Sequence, residues 1–365
     1  MTNRGEFAAV KAGSAAGIPS GGVGKRSEYG GFCDMLGAFV MAEPQKQVPN
    51  PQTRQDLDAL LPSPGSDGYV FFEHASDWPL EKTLEFQHVN CWWMIEFSYL
   101  VYSTSEDYVL KQLAGVNLQG AVFGFDKTQP PHIVVAHTED LIVVAFRGTR
   151  VQELADVLAD ISFLPELTGN GFVHSGFQKA LLSAGVWDDA RAYIGNIPGK
   201  QLILFTGHSL GAALATLARR TYRDPKGRQN ALYTFGSPRV GDELIFCPNY
   251  PASDYRIVNE SDIVPHVPTP PLYGHVGSPF GTDGLHLHSG VWQGLEHGFS
   301  NVAAALGVFS FTTRRQRLRD FLAGASCKPL GDHAPRVYAT KIWNSLKSPQ
   351  KTESDGSARV SAAQA

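Results

Sequence analysis

Gln201-Leu202-Ile203-Leu204-Phe205, Gly207-His208-Ser209-Leu210-Gly211 and Ala212-Ala213-Leu214-Ala215-Thr216-Leu217-Ala218-Arg219-Arg220 follow one another along the chain, with Thr206 between the first two. The first piece is a short apolar run of strand length, and the last is a run of strong helix formers. Between them stands a Gly-x-Ser-x-Gly pentapeptide. A chain that turns sharply from strand into helix leaves no room for side chains beside the serine, which is itself held in a strained conformation. Ser209 is therefore a candidate nucleophile. The helix that starts behind it offers backbone N–H groups, that of Leu210 first, to negative charge building on a carbonyl oxygen. With 37 glycines in the chain the pentapeptide alone is a modest signal; the strand before it and the helix after it give it weight. The competing reading is a Gly/Ser turn that only caps a helix.

Outward from this turn the pattern alternates. His132-Ile133-Val134-Val135-Ala136 and Leu141-Ile142-Val143-Val144-Ala145-Phe146 are β-branched runs split by four polar residues, which predicts a hairpin of core strands. Residues 84–102, with Trp92, Trp93, Ile95 and Phe97, read as a buried helix, and 175–194 as another. Ala231-Leu232-Tyr233-Thr234-Phe235 and Tyr255-Arg256-Ile257-Val258 are further short strands. Strands interleaved with helices imply an α/β fold with a mostly parallel sheet covered on both faces, whose ligand sites lie at the carboxyl ends of the strands. At one such end, Phe146-Arg147-Gly148-Thr149 offers the Thr149 amide and hydroxyl as a second oxyanion donor, or is a simple turn after a strand.

The rest of the composition sets bounds. The chain has 365 residues, 43% of them hydrophobic, enough for one large elaborated domain. Its 31 Lys+Arg against 35 Asp+Glu give a net charge of -4, which argues against nucleic acid as a partner. Four cysteines without CxxC spacing argue against a zinc site and read as buried thiols before disulfides, and chemistry on a serine nucleophile requires neither metal nor cofactor. Residues 1–30, rich in Gly, Ala and Ser, are expected to be a disordered leader and 348–365 a disordered tail, with the domain in 31–347. The run Phe32 to Ala42 has features of an export signal, but Asp34 inside it is costly for insertion, so the cytoplasm is favoured over secretion. No run approaches the ~20 apolar residues of a bilayer span, so integral membrane insertion is not expected.

Five ordered segments together resemble the class 3 lipase family, the fungal-type triacylglycerol lipases and their relatives. They are Val143 to Thr149, Val173-His174-Ser175-Gly176-Phe177, Gly207 to Gly211, Phe235-Gly236-Ser237-Pro238-Arg239-Val240-Gly241-Asp242, and Arg256 to Pro268. The resemblance covers roughly residues 85–345 and implies an α/β-hydrolase fold with a helical lid. It implies that Ser209 attacks an ester, that Thr149 and Leu210 form the oxyanion hole, and that Asp262 is the acid orienting a histidine base. From the residues alone, Asp262 before Ile-Val-Pro is only a turn former or cap.

The base must be found among 12 histidines. By the resemblance His208 is structural and His266 and His275 are not the base, leaving His286, His288, His297 and His333. The family's base follows a small or acidic residue and precedes a short C-terminal helix, a form matched by Asp332-His333-Ala334-Pro335-Arg336-Val337-Tyr338, with His297 and His286 as alternatives. The order Ser209, Asp262, His333 is that of α/β-hydrolases. The 71 residues from Asp262 to His333 exceed the family's usual spacing, with an extra stretch around 292–327.

Val151, Leu154, Val157, Leu158 and Ile161 recur at helical spacing opposite polar residues, at the position where the family carries its lid; an ordinary surface helix is the other reading. Residues 308–322, with Arg314, Arg315, Arg317 and Arg319, form a basic amphipathic stretch that reads as a solvated helix face, with an anionic surface as the other reading. The resemblance thus implies a triacylglycerol lipase acting on lipid at a lipid-water interface. The same residues would serve a phospholipase A1 or a carboxylesterase, and the fold alone could serve a non-catalytic scaffold.

Overall fold

The computed structural model describes residues 45–51, 56, 68–126, 131–149, 165–169, 171–248, 250–259, 262–268, 273–287 and 328–348. All of them belong to one compact unit that starts at Pro44. The expected leader and export signal, the lid segment 150–161 and the basic stretch 308–322 lie outside the described residues.

Two helices, α1 (His88–Leu100) and α2 (Glu106–Gly115), precede three strands, β1 (Gln119–Phe123), β2 (Ile133–His137) and β3 (Leu141–Phe146). A small hairpin follows, β4 (Pro165–Thr168) with β5 (Gly171–His174), then α3 (Ser175–Leu181) and α4 (Val186–Asn196). The remaining elements are β6 (Leu202–His208), α5 (Leu210–Thr221), β7 (Asn230–Phe235), β8 (Asp254–Val258), β9 (Ser278–Gly281), α6 (Lys328–Gly331) and α7 (Pro335–Lys347). The central sheet runs β1-β2-β3-β6-β7-β8-β9. β1, β2 and β3 pair antiparallel, and every pairing from β3 to β9 is parallel. The sheet is therefore mostly parallel and the fold is that of an α/β-hydrolase.

The strands read as unbroken apolar runs because each side chain has a core to enter. Val134, Val143, Leu204 and Tyr233 join Trp92, Phe97, Tyr338 and Trp343 on one face of the sheet. Val135, Val144, Ile203 and Leu232 join Phe177, Trp187, Leu214 and Tyr222 on the other. Successive residues of one strand thus feed opposite cores.

The single helix expected over 175–194 is two. Ala184 (φ 55°) and Gly185 (φ 70°) are both left-handed, and consecutive positive φ values cannot continue a right-handed helix. Cys91 and Cys247 are buried free thiols, while Cys33 and Cys327 lie outside the described residues. Among the described residues no helix is long and apolar enough to cross a membrane.

Candidate active site

Ser209 alone joins β6 to α5 and has φ 60° and ψ -128°. Such a backbone costs about 1–3 kcal/mol and persists only where the surroundings hold it. Here the Ser209 amide donates to the Phe235 carbonyl on β7 (3.0 Å), and its own carbonyl accepts from Ala212 (2.9 Å). Gly207 and Gly211 let the turn close: a Cβ on Gly207 would overlap the Gly211 carbonyl, and one on Gly211 would overlap the Phe146 carbonyl. Strand β3, and with it the Arg147-Gly148-Thr149 turn, is thereby pressed against the serine.

Asp262 follows β8 and is fully buried. Its Oδ1 accepts from the Val264 amide (2.8 Å) and its Oδ2 from the Tyr338 hydroxyl (2.7 Å). His333 Nδ1 donates to the same carboxylate, 2.9 Å from Oδ1 and 2.8 Å from Oδ2. With Nδ1–H committed to a carboxylate, the neutral ring presents Nε2 as an acceptor. The Ser209 hydroxyl and His333 Nε2 are both buried, and neither has a hydrogen-bond partner among the described residues. Gly236, at the end of β7, makes room for the pair, since a Cβ there would press on Asp262 Oδ2 and stand 3.0 Å from the imidazole.

The two remaining candidates flank the serine. Leu210 is the first residue of α5, so its N–H has no acceptor within the helix. A Cβ built on Gly148 would stand 3.2 Å from that of Ser209, and half-buried Thr149 comes next in the chain. His208 links this turn to the imidazole. Its Nε2 donates to the His333 carbonyl (2.6 Å), so its Nδ1 accepts from the Tyr102 hydroxyl (2.8 Å), which in turn accepts from the Gly148 amide. The His208 and His333 rings lie 4.4 Å apart. Burial first, then neighbouring His333, holds His208 well below the usual imidazole range and keeps it neutral.

The structure thus brings Ser209, Asp262 and His333 to one end of the sheet, with Leu210 and Gly148-Thr149 beside the hydroxyl. His286 instead packs on Phe280 at the edge strand β9, and His288 and His297 lie outside the described residues. Four participants were missed by sequence reasoning: Tyr102, Tyr338, Gly236 and the tether made by His208. Tyr338 closes the motif that begins at Asp332, and Gly236 opens Gly-Ser-Pro-Arg; either gave a signal of place but not of contact. Tyr102 gave none, standing 107 positions before the serine among other aromatic residues.

Residues 143–271 match the family described as Lipase (class 3). A lipase of Rhizomucor miehei is 36% identical over 163 residues, covering 39% of this chain and 42% of the relative. Secreted mono- and diacylglycerol lipase A of Penicillium cyclopium is 32% identical over 157 residues, covering 41% and 50%. A solved structure of a mutant form of MDLA from Penicillium cyclopium aligns over 53% of this chain and 78% of its own, with 22% identity and a TM-score of 0.45. The chain spans about half the length of the curated relatives it matches. The expectation of a cytoplasmic protein is corrected: relatives from Penicillium and Gibberella are named secreted, which points to secretion. Asp34 misled because the cost of one charge inside one apolar run was the only thing weighed.

Proposed function

We propose, for a chain whose residues 143–271 match the class 3 lipase family, that it hydrolyses carboxylic esters, acylglycerols foremost, through an acyl-enzyme on Ser209. His333 Nε2 takes the hydroxyl proton as Ser209 Oγ attacks the ester carbonyl, and Asp262 stabilises the imidazolium that results. The Leu210 amide and the Thr149 amide and hydroxyl receive the oxyanion. As the tetrahedral intermediate collapses, the C–O bond to the alcohol breaks and His333 returns the proton to the leaving oxygen. Water, deprotonated by His333, then attacks the acyl-enzyme and releases the fatty acid and the Ser209 hydroxyl.

One observation carries the reading. A strained, buried serine hydroxyl and the free nitrogen of an imidazole whose other nitrogen is fixed to a buried carboxylate are both left without partners among the described residues. Buried polar groups left unpaired cost about 1–3 kcal/mol each, which a purely structural site has no reason to retain. The hydroxyl-to-imidazole bond of such sites commonly tightens only with substrate present.

The test is a panel of p-nitrophenyl esters of graded chain length together with emulsified triacylglycerol. Wild type turns over the panel, and Ser209→Ala loses roughly 10⁴-fold or more in kcat. Equal rates for the two proteins overturn the reading. Turnover of short soluble esters with none of the emulsion would assign a carboxylesterase.

A further inference from the structure

The candidate base His333 sits in the short loop 332–334 between α6 and α7, and the chain is held by a hydrogen bond on each side of its Cα. The His333 carbonyl accepts from His208 Nε2 (2.6 Å), and the Asp332 carbonyl before it accepts from Asn259 Nδ2 (2.7 Å). These carbonyls belong to the two peptide planes that meet at the His333 Cα. A peptide unit is rigid, so pinning both planes fixes φ and ψ of the residue between them, and with them the direction of its Cβ. The imidazole keeps only its side-chain torsions, which the bond from Nδ1 to Asp262 sets. One pin comes from the residue before Ser209; the other comes from the end of β8, three positions before Asp262.

The Asn259 backbone does the ordinary work of a turn former, its carbonyl accepting from the Asp262 amide (3.0 Å). An asparagine with that task alone bonds its side chain to its own turn. This one spends its Nδ2 on a residue 73 positions away. Lys341 on α7 sets the amide for that contact: its Nζ donates to Asn259 Oδ1 (2.7 Å) and stands 4.0 Å from the Asp332 carboxylate. An ammonium only donates and a backbone carbonyl only accepts, so a single orientation of the amide satisfies both partners. Asn259 is 1% exposed, and turning the amide over would leave two polar groups facing unlike partners without water to relieve them.

We infer that Asn259 and Lys341 are positioning residues for the base: the Lys341 ammonium orients the Asn259 amide, and the amide fixes the Asp332 carbonyl and so the direction of the His333 side chain. The inference rests on the proposed esterase reading, in which His333 Nε2 meets the Ser209 hydroxyl. A base whose backbone is loose adopts that geometry for less of the time, so the loss falls on the chemical step and not on ester binding.

The experiment compares the full chain with Asn259→Ala, Lys341→Met and Lys341→Arg in turnover of p-nitrophenyl butyrate, beside the downfield proton NMR signal of His333 Nδ1–H. Asn259→Ala removes the pin and keeps the backbone amide that donates to the Tyr338 hydroxyl. Its kcat should fall about tenfold or more at unchanged KM, with the Nδ1–H signal broadened or lost. Lys341→Met should lower kcat in the same direction by less, and Lys341→Arg, which retains a donor for Asn259 Oδ1, should restore it. Wild-type kcat and an undisturbed Nδ1–H signal in Asn259→Ala overturn the inference, even where the thermal midpoint drops, and leave Asn259 a turn former. If Asn259→Ala does not fold, the lysine variants decide, and a wild-type kcat in Lys341→Met overturns it. No ester turnover by wild type fells the esterase reading instead; loss of the Nδ1–H signal in Asn259→Ala would then leave the pin standing, since that bond exists without turnover.

Discussion

A carboxylate that accepts from an amide, a phenol and an imidazole at once cannot swing away, and Asp262 is in that position. Asp262→Asn puts an amide NH₂ or carbonyl where His333 Nδ1 needs an anion, and either favours the wrong tautomer or leaves the imidazolium unsupported. A fall of about 10⁴-fold in kcat is expected, with the thermal midpoint little changed. In the proposed mechanism Tyr338, whose hydroxyl donates to Asp262 Oδ2, acts through Asp262 as a positioning residue. Tyr338→Phe removes one donor to the acid and leaves the buried Asn259 amide, which donates to that hydroxyl (2.9 Å), without its acceptor. The expected outcome is a kcat lowered about tenfold at unchanged KM, with a loss of about 1–3 kcal/mol in stability from the orphaned amide. An unchanged kcat beside lower stability would make Tyr338 a packing residue only.

At the scale of elements, the site depends on how closely β3, β6 and α5 approach. Gly211 is the contact point, where the first turn of α5 lies on the Phe146 carbonyl. Gly211→Ala sets a methyl against backbone atoms that no side-chain rotation can move aside. The helix must lift from the sheet, at a cost of about 1–3 kcal/mol or more. Because Leu210 and Gly148-Thr149 lie on the two sides of that contact, the lift also parts the candidate oxyanion donors. Chemical denaturation should report the loss of stability, and kcat should fall with it. A variant of normal stability and activity would mean that the contact is slack.

The whole molecule adds a dependence on pH that no single element shows. Residues 68–80 cross α1 and meet Glu96, which is buried and accepts from the Tyr69 hydroxyl and from the Phe72 amide (2.9 Å). Burial pushes the Glu96 carboxyl up to about 7, against the opposing pull of those two donors. Its folded value thus lies above its unfolded one. The stability it contributes is whole below the ordinary carboxylate range and is lost as pH rises through about 7. Glu96→Gln mimics the neutral acid at every pH. The thermal midpoint of the variant should therefore gain on that of wild type between about pH 5 and about pH 8. A difference that stays constant over this range would show that Glu96 is ionised throughout.

What sequence determines here is local and repetitive. Apolar runs of strand length, an alanine-rich helix and a pentapeptide with glycine on both sides of Ser209 specify the sheet, its covering helices and the sharp turn, since each depends on neighbours a few positions away. The break at Ala184-Gly185, the passage of Tyr102 and His208 between the Gly148-Thr149 turn and the His333 loop, and the hold of Tyr338 on Asp262 were decided only by tertiary structure. Tyr102, His208 and His333, like Tyr338 and Asp262, stand tens of residues or more apart, and a chain fixes such contacts by the distances and directions packing imposes, which no local pattern encodes.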